Sequence, residues 1–424
     1  MTATQQLLIG GQWRDAVSGA THEVVNAYTG EAATVQSAAG LPDVDAAVAA
    51  AHEAAPGWAQ TAPEQRRELL HRAAGILESR AQEIARTVSE ETSGTFGWGM
   101  FNVGLATAIF RAAGDLAEQS THEFVASEIP GLESARVRVP LGVCVGIAPW
   151  NAPVILGTRA IVWPLALGNT VILKASEQSP RVHGAIAAAL QDAGAPDGVV
   201  NLITNDPAEA SEVVGALIDD PRTSHVNFTG STRVGRIIAQ RAAGHFKRTL
   251  LELGGKAPFV VLDDADLDAA AAAASFGAFM HAGQICMSTE RIVVDHSVHD
   301  AFVAKLAERA RALSTGSPFE PTTMVGPVVS RASSAHLHEL IADATARGAQ
   351  VAAGGEPDGA VLEPTVLTGV TSAMRIYGEE SFGPVVSVMA ADGPDDAVRI
   401  ANDTEYGLSA AVFGSDVDPA RGVP

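Results

Sequence analysis

GVCVGIAP (142–149), TVILKA (170–175), GVVNLIT (198–204) and HVNFTG (225–230) are short, β-rich runs whose starts lie 27 or 28 residues apart. Helix-like segments such as RVHGAIAAALQDAG (181–194) fill the gaps. A parallel pair needs a long crossover, and strands buried on both faces read as continuous apolar runs. This rhythm therefore predicts an α/β fold: a doubly wound parallel sheet with helices on both faces.

Working outward, the rhythm resumes after Glu252. APFVVL, RIVVD, QVAAGG and VVSVMA read as strands, with helices over 267–281, 298–313 and 335–347. Toward the N-terminus, residues 43–89 carry alanine, leucine and charge at helical spacing, with Pro63 opening a new helix at its first position. A further helix is expected over 101–120. The run ARVRV (135–139) alternates as a solvated strand does, and LLIGGQW reads as a short strand and turn.

Of the 424 residues, 47% are hydrophobic and 18% charged, which fits two or three globular domains. The net charge of −21 opposes binding to nucleic acid or anionic lipid. No charge falls between Arg138 and Arg159, but Pro140, Pro149, Asn151 and Pro153 break the stretch; a spanning helix needs about 20 apolar residues with closed backbone bonds. MTATQQLLIGGQW has no basic segment ahead of an apolar core, so no secretory signal is expected. Cys144 and Cys286 cannot build a disulfide framework, which points to a reduced, cytoplasmic setting.

Several short patterns can carry chemistry. In HVNFTGSTRVGR, Gly230 permits a tight turn, Ser231 can donate to a phosphate, and Gly235 allows close approach of the helix start. The pattern lacks one glycine of the usual dinucleotide fingerprint and also fits an ordinary strand–helix corner. Lys174, ending an apolar strand, can hold ribose or phosphate oxygens. Glu177 can accept from ribose hydroxyls and repel a 2′-phosphate, or the two form an exposed strand-end pair. Glu252 precedes two glycines in LELGGK. A desolvated carboxylate there, with raised proton affinity, suits a general base, though a glutamate before such a turn is often just turn. Cys286 in GQICMSTER is either a small buried hydrophobe or a nucleophile; Cys144 reads as core. Asn151, between Pro149 and Pro153, suits an oxyanion donor or an Asx turn. Glu380 and Phe382 in EESFGP suit a ribose and a nicotinamide ring, or loop anchoring.

Taken in order, PWN, LKASE, FTGSTxxG, LELGGK, GQIC and EESFGP resemble the aldehyde dehydrogenase superfamily, and the cysteine lies 34 positions after the glutamate of LELGGK. The resemblance runs from IGGQW to NDTEYGLSAAVFG. It implies that Cys286 attacks the aldehyde carbon as a thiolate, with the Asn151 amide and the Cys286 N–H holding the oxyanion. Hydride passes to the nicotinamide, and Glu252 activates the water that hydrolyses the thioester. Lys174 and Glu177 would bind the adenosine ribose, Ser231 the pyrophosphate, and Glu380 and Phe382 the nicotinamide ribonucleoside. NAD is the implied cofactor, with NADP possible and no metal.

A narrower resemblance, carried by GIAPWNAPVILGTRA, NFTGSTRVGR and AFMHAGQICMSTERIVVD, is to the salicylaldehyde, benzaldehyde and vanillin dehydrogenase branch. Arg159, eight positions after Asn151, would face a phenolic or carboxylate ring substituent, and Trp98 would help form a flat pocket; a surface arginine and a packing tryptophan are the alternatives. CoA-acylating relatives usually lack the glutamate of LELGGK.

The resemblance implies a NAD-binding domain (1–125 and 142–251), a bridging β element (126–141) through which relatives form homodimers or homotetramers, and a catalytic domain (252–424). Family chains run on past this point, so it also implies a shortened C-terminus, with no helix developing after AVFGSDVD. A catalytically silent fragment that binds nucleotide or partner subunits is the competing expectation.

Overall fold

The computed structural model describes residues 2–119, 122–355 and 358–415. Within them, one unit comprises 2–25, 32–91 and 99–252, and the other 26–31, 92–98 and 253–415.

The first unit is built on a seven-stranded sheet in the order Arg248–Glu252, Thr223–Thr229, Val143–Ile147, Thr170–Lys174, Val200–Ile203, Leu7–Ile9, Gln12–Arg14. The first five are parallel, and the N-terminal hairpin adds two antiparallel strands. Every residue of Val143–Ile147 and Thr170–Lys174 is buried, which is why these runs are apolar without alternation. The chain starts at Val143–Ile147, steps outward through Thr170–Lys174 to Val200–Ile203, and then returns to the other side of its starting strand. That reversal makes the sheet doubly wound and opens a crevice beyond the carboxyl ends of Val143–Ile147 and Thr223–Thr229. Gly146 lets the helix Pro153–Ala166 lie close, since a Cβ there would sit 2.9 Å from the Ala160 carbonyl oxygen.

In the second unit a six-stranded sheet runs Gln350–Ala353, Thr365–Thr368, Val385–Ala391, Thr289–Asp295, Ala257–Val261, Ala411–Phe413, parallel except at its Gln350–Ala353 edge. Phe259, Phe279, Phe302, Leu306, Val366 and Val388 fill its core. Arg291 is fully buried, donating to the carbonyls of Ile400 and Asp403 at 2.7 Å and lying over the Tyr377 ring.

Pro63 does open its helix, Pro63–Ser79. Several boundaries differ from expectation; the helix expected over 335–347, for one, is Arg331–Ala346. The helix predicted over 101–120 is Phe96–Ala117. Around the range 126–141, where a bridging element is expected, an antiparallel hairpin pairs His122–Val125, which lies before that range, with Ser134–Val137. The helix predicted to reach 281 ends at Phe279, because Met280 turns to ψ +134°, and His281 and Ala282 follow at φ of +50° and +54°. Residues 26–31 and 92–98 also group with the second unit, inside the span 1–125 assigned to the first. The expectation about the segment after AVFGSDVD concerns 416–424, outside the described residues. Among the described residues no helix is long and apolar enough to cross a membrane.

Candidate functional site

In the first unit the predicted residues gather at the carboxyl edge of the parallel strands. Asn151 is buried in the connection from Val143–Ile147 to the helix that opens at Pro153. The Ala148 N–H donates to the Lys174 carbonyl, tying this connection to the next strand. Lys174 ends that strand with its side chain 4% exposed and forms an ion pair with Glu177. The pair is buried at the lysine and half-buried at the acid, not the exposed one that sequence left open. Glu177 also accepts from the Asn205 amide at 3.1 Å. Burial holds Lys174 below the usual lysine value, with Glu177 opposing. For Glu177, burial pushes upward, but the charge and hydrogen bond of Lys174, helped by Asn205, leave it below the ordinary carboxylate value. It is a carboxylate at neutral pH.

At the strand–helix corner, Gly230 donates its N–H to the Glu252 carbonyl at 3.1 Å. Ser231 caps the helix Thr232–Ala243, its hydroxyl oxygen accepting from the Val234 N–H and its own O–H left to donate outward. Gly235 is buried in that helix, its N–H donating to the Ser231 carbonyl.

Glu252 closes the edge strand, in register with Thr229. Its carboxylate lies 3.0 Å from Nη2 of Arg159, which also donates to Thr229 Oγ1 at 3.2 Å. The expected lone, desolvated base is thus an ion-paired one, and the arginine expected to face a substrate substituent is engaged by it. Both line a cavity of about 590 Å³ with Trp163, Leu250, His225 and Asn227. Cys144 lies in the core as expected, and burial pushes its thiol up to about 12.

In the second unit, Cys286 is half-buried in the turn before the strand Thr289–Asp295. Two glycines make room for this turn. A Cβ on Gly255 would lie 2.2 Å from the Cys286 carbonyl oxygen, and one on Gly283 would lie 2.1 Å from the Gly383 carbonyl oxygen. Glu380 accepts from the Gly255 N–H at 2.9 Å, so the acid of EESFGP is docked on the glycines of LELGGK. Phe382 adopts φ +49°, its N–H donating to Glu290 at 3.1 Å.

Sequence reasoning missed the group that fastens these segments together. Lys256 and Glu290 form a 2.7 Å ion pair with side chains 0% and 3% exposed. Lys256 also donates to the Glu379 carbonyl at 2.6 Å, and Glu290 accepts from the Ser381 N–H at 2.8 Å. The available signal was ionisable residues inside otherwise apolar or glycine-rich strand ends, where charges are rarely buried without a partner. Trp98, expected on a flat pocket wall, is 6% exposed and stacks on His281 at 4.6 Å between ring centroids.

Residues 13–423 match the family model described as "Aldehyde dehydrogenase family". A vanillin dehydrogenase from Pseudomonas fluorescens is 51% identical over 98% of this chain and 86% of its own length. A crystal structure of a salicylaldehyde dehydrogenase from Pseudomonas putida, complexed with salicylaldehyde, superposes with a TM-score of 0.98 at 43% identity, covering 99% of this chain and 87% of that one. A NAD-dependent benzaldehyde dehydrogenase from Corynebacterium glutamicum gives a TM-score of 0.94 at 38% identity, covering 99% and 90%.

Proposed function

Given that the chain belongs to the aldehyde dehydrogenase family, we propose that it oxidises aromatic aldehydes to carboxylic acids with NAD. The observation that carries this reading is the presence of both Cys286 and Glu252, in their family motifs, in a chain 51% identical to a vanillin dehydrogenase. The same likeness, spanning 98% of this chain, favours turnover over a silent nucleotide-binding fragment.

In this reading the Cys286 thiolate attacks the carbonyl carbon, and the Asn151 amide and Cys286 N–H hold the oxyanion. Losing one such donor costs roughly 10²–10³ in rate. When bound, NAD would supply a hydride acceptor beside the adduct carbon. Glu252 then removes a proton from the water that attacks the thioester, and the acid departs as the thiolate is restored. Arg159 holds Glu252 through Oε2 alone, which orients the carboxylate and leaves its other oxygen to accept from that water. A phenolic or anionic ring substituent would meet the same guanidinium.

The residues fit the dinucleotide. Glu177, kept ionised by Lys174, suits ribose hydroxyls and disfavours a 2′-phosphate; Ser231 offers an O–H at a helix start to the pyrophosphate. Glu380 and Phe382 would take the nicotinamide ribonucleoside, and Trp98 would support the pocket through His281. The hairpin His122–Val125 with Ser134–Val137, which exposes Phe124, is the assembly element in this reading, and a reduced, cytoplasmic setting suits the Cys286 thiol.

The test is NADH formation from NAD with vanillin, salicylaldehyde, benzaldehyde and aliphatic aldehydes, beside Cys286→Ala. Aromatic substrates should win by kcat/KM, and the variant should be inactive. An aliphatic winner overturns the substrate class, and turnover in the variant overturns the nucleophile.

A further inference from the structure

His183 sits in the first turn of the helix Pro180–Asp192 and is fully buried. Its Nδ1 lies 3.1 Å from the backbone N–H of Ser176, and its Nε2 lies 3.1 Å from the carbonyl oxygen of Pro153. An amide N–H can only donate and a carbonyl can only accept, so the ring is fixed as the neutral tautomer carrying its proton on Nε2. Burial pushes its pKa down to about 3, which keeps that tautomer at working pH.

The two bonds reach into two different parts of the site. Ser176 lies between Lys174 and Glu177, and Pro153 is two residues from Asn151. The surroundings are shaped for a ring. A Cβ on Gly157 would lie 2.7 Å from His183 Cδ2 and 3.1 Å from Nε2, so the glycine of PVILG vacates the imidazole's space. The ring's own helix is anchored at its start, where Glu91 accepts from the N–H groups of Arg181 at 3.0 Å and Val182 at 3.2 Å.

We propose that His183 is a positioning residue that sets the oxyanion amide Asn151 and the ribose pair Lys174–Glu177 in a common register. The assignment of those two ends rests on the dehydrogenase reading above. It implies that each ring nitrogen serves a different kinetic constant. Asparagine places an acceptor near Nδ1 and loses the donor to Pro153; glutamine reaches the Nε2 position and loses the acceptor for Ser176.

The experiment compares His183→Asn, His183→Gln and His183→Phe in the full chain by steady-state kinetics with vanillin, NADH binding titration and thermal melting. His183→Asn should lower kcat roughly tenfold, the scale of a displaced catalytic donor, and leave the NADH Kd unchanged. His183→Gln should weaken NADH binding about fivefold, the scale of one lost buried hydrogen bond, and leave kcat unchanged. His183→Phe should show both losses. If it does not fold, the first two variants decide. Unchanged constants in both, or equal losses in kcat and Kd that follow the fall in Tm, overturn the proposal. A wild-type protein that binds NADH but oxidises neither aromatic nor aliphatic aldehydes instead refutes the dehydrogenase reading. The Asn against Gln contrast in NADH binding then decides the role of His183 alone.

Discussion

Each unit holds a lysine–glutamate pair with a buried lysine, and the two pairs differ in what surrounds the acid. Lys256–Glu290 is sealed, its lysine also donating to the Glu379 carbonyl and its acid accepting from the Ser381 and Phe382 N–H groups. Lys174–Glu177 is closed only on the lysine side; Glu177 is 21% exposed and meets the Asn205 amide. A buried ion pair is weak evidence of stabilisation, because desolvation offsets much of the attraction. The difference teaches how to read such pairs. Where backbone amides consume the acid, the pair is framework; where the acid keeps a solvent face, it is available to a ligand.

The largest expected effect follows from breaking the sealed pair. Glu290→Ala leaves Lys256 buried without its counter-charge, and chemical denaturation should register a loss of about 3–5 kcal/mol. A loss no larger than that of a surface substitution would remove the distinction. Next comes Glu91, a buried carboxylate with no lysine. It accepts from Thr34 and from the Arg181 and Val182 N–H groups, yet burial pushes it up to about 7. A raised carboxyl binds its proton more tightly when folded. Its contribution is therefore full below the ordinary carboxylate value and lost as pH rises to about 7. Unfolding free energy measured from pH 4 to 8 should fall along that window by at most about 3 kcal/mol, each tenfold in proton affinity being worth about 1.4 kcal/mol, and Glu91→Gln should flatten the profile.

On the open pair, Lys174→Met should raise the KM for NAD about tenfold with a smaller cost in Tm than Glu290→Ala; the reverse order would make Lys174 framework. The smallest effect belongs to Glu177→Gln. Removing the charge should shift selectivity toward NADP by about fivefold in the ratio of kcat/KM values. An unchanged ratio would mean that Glu177 does not face the 2′ position.

The parts legible in the sequence were those set by local pattern. The strands Val143–Ile147, Thr170–Lys174 and Val200–Ile203 declared themselves because they are buried throughout. The even spacing added Thr223–Thr229, whose burial alternates, and the order of short motifs singled out Cys286 and Glu252. What escaped depended on distance along the chain. Arg159 and Glu252 meet across 93 residues, Lys256 and Glu290 across 34, and nothing in either segment alone names the partner. The end of the Leu267–Phe279 helix escaped for another reason. Met280 turns extended, and His281 and Ala282 then take positive φ with no glycine at either position to announce it, the His281 ring stacked on Trp98.

The crowding at Gly255 also constrains how this sequence can diverge. Every replacement at that position carries a Cβ into the Cys286 carbonyl, so inherited change there is closed off while the cysteine turn keeps its shape. Arg159 is constrained in another way: its guanidinium pairs with Glu252 and Thr229. A lineage descending from this chain therefore varies at 159 only where Glu252 accepts a new neighbour, and at 255 not at all.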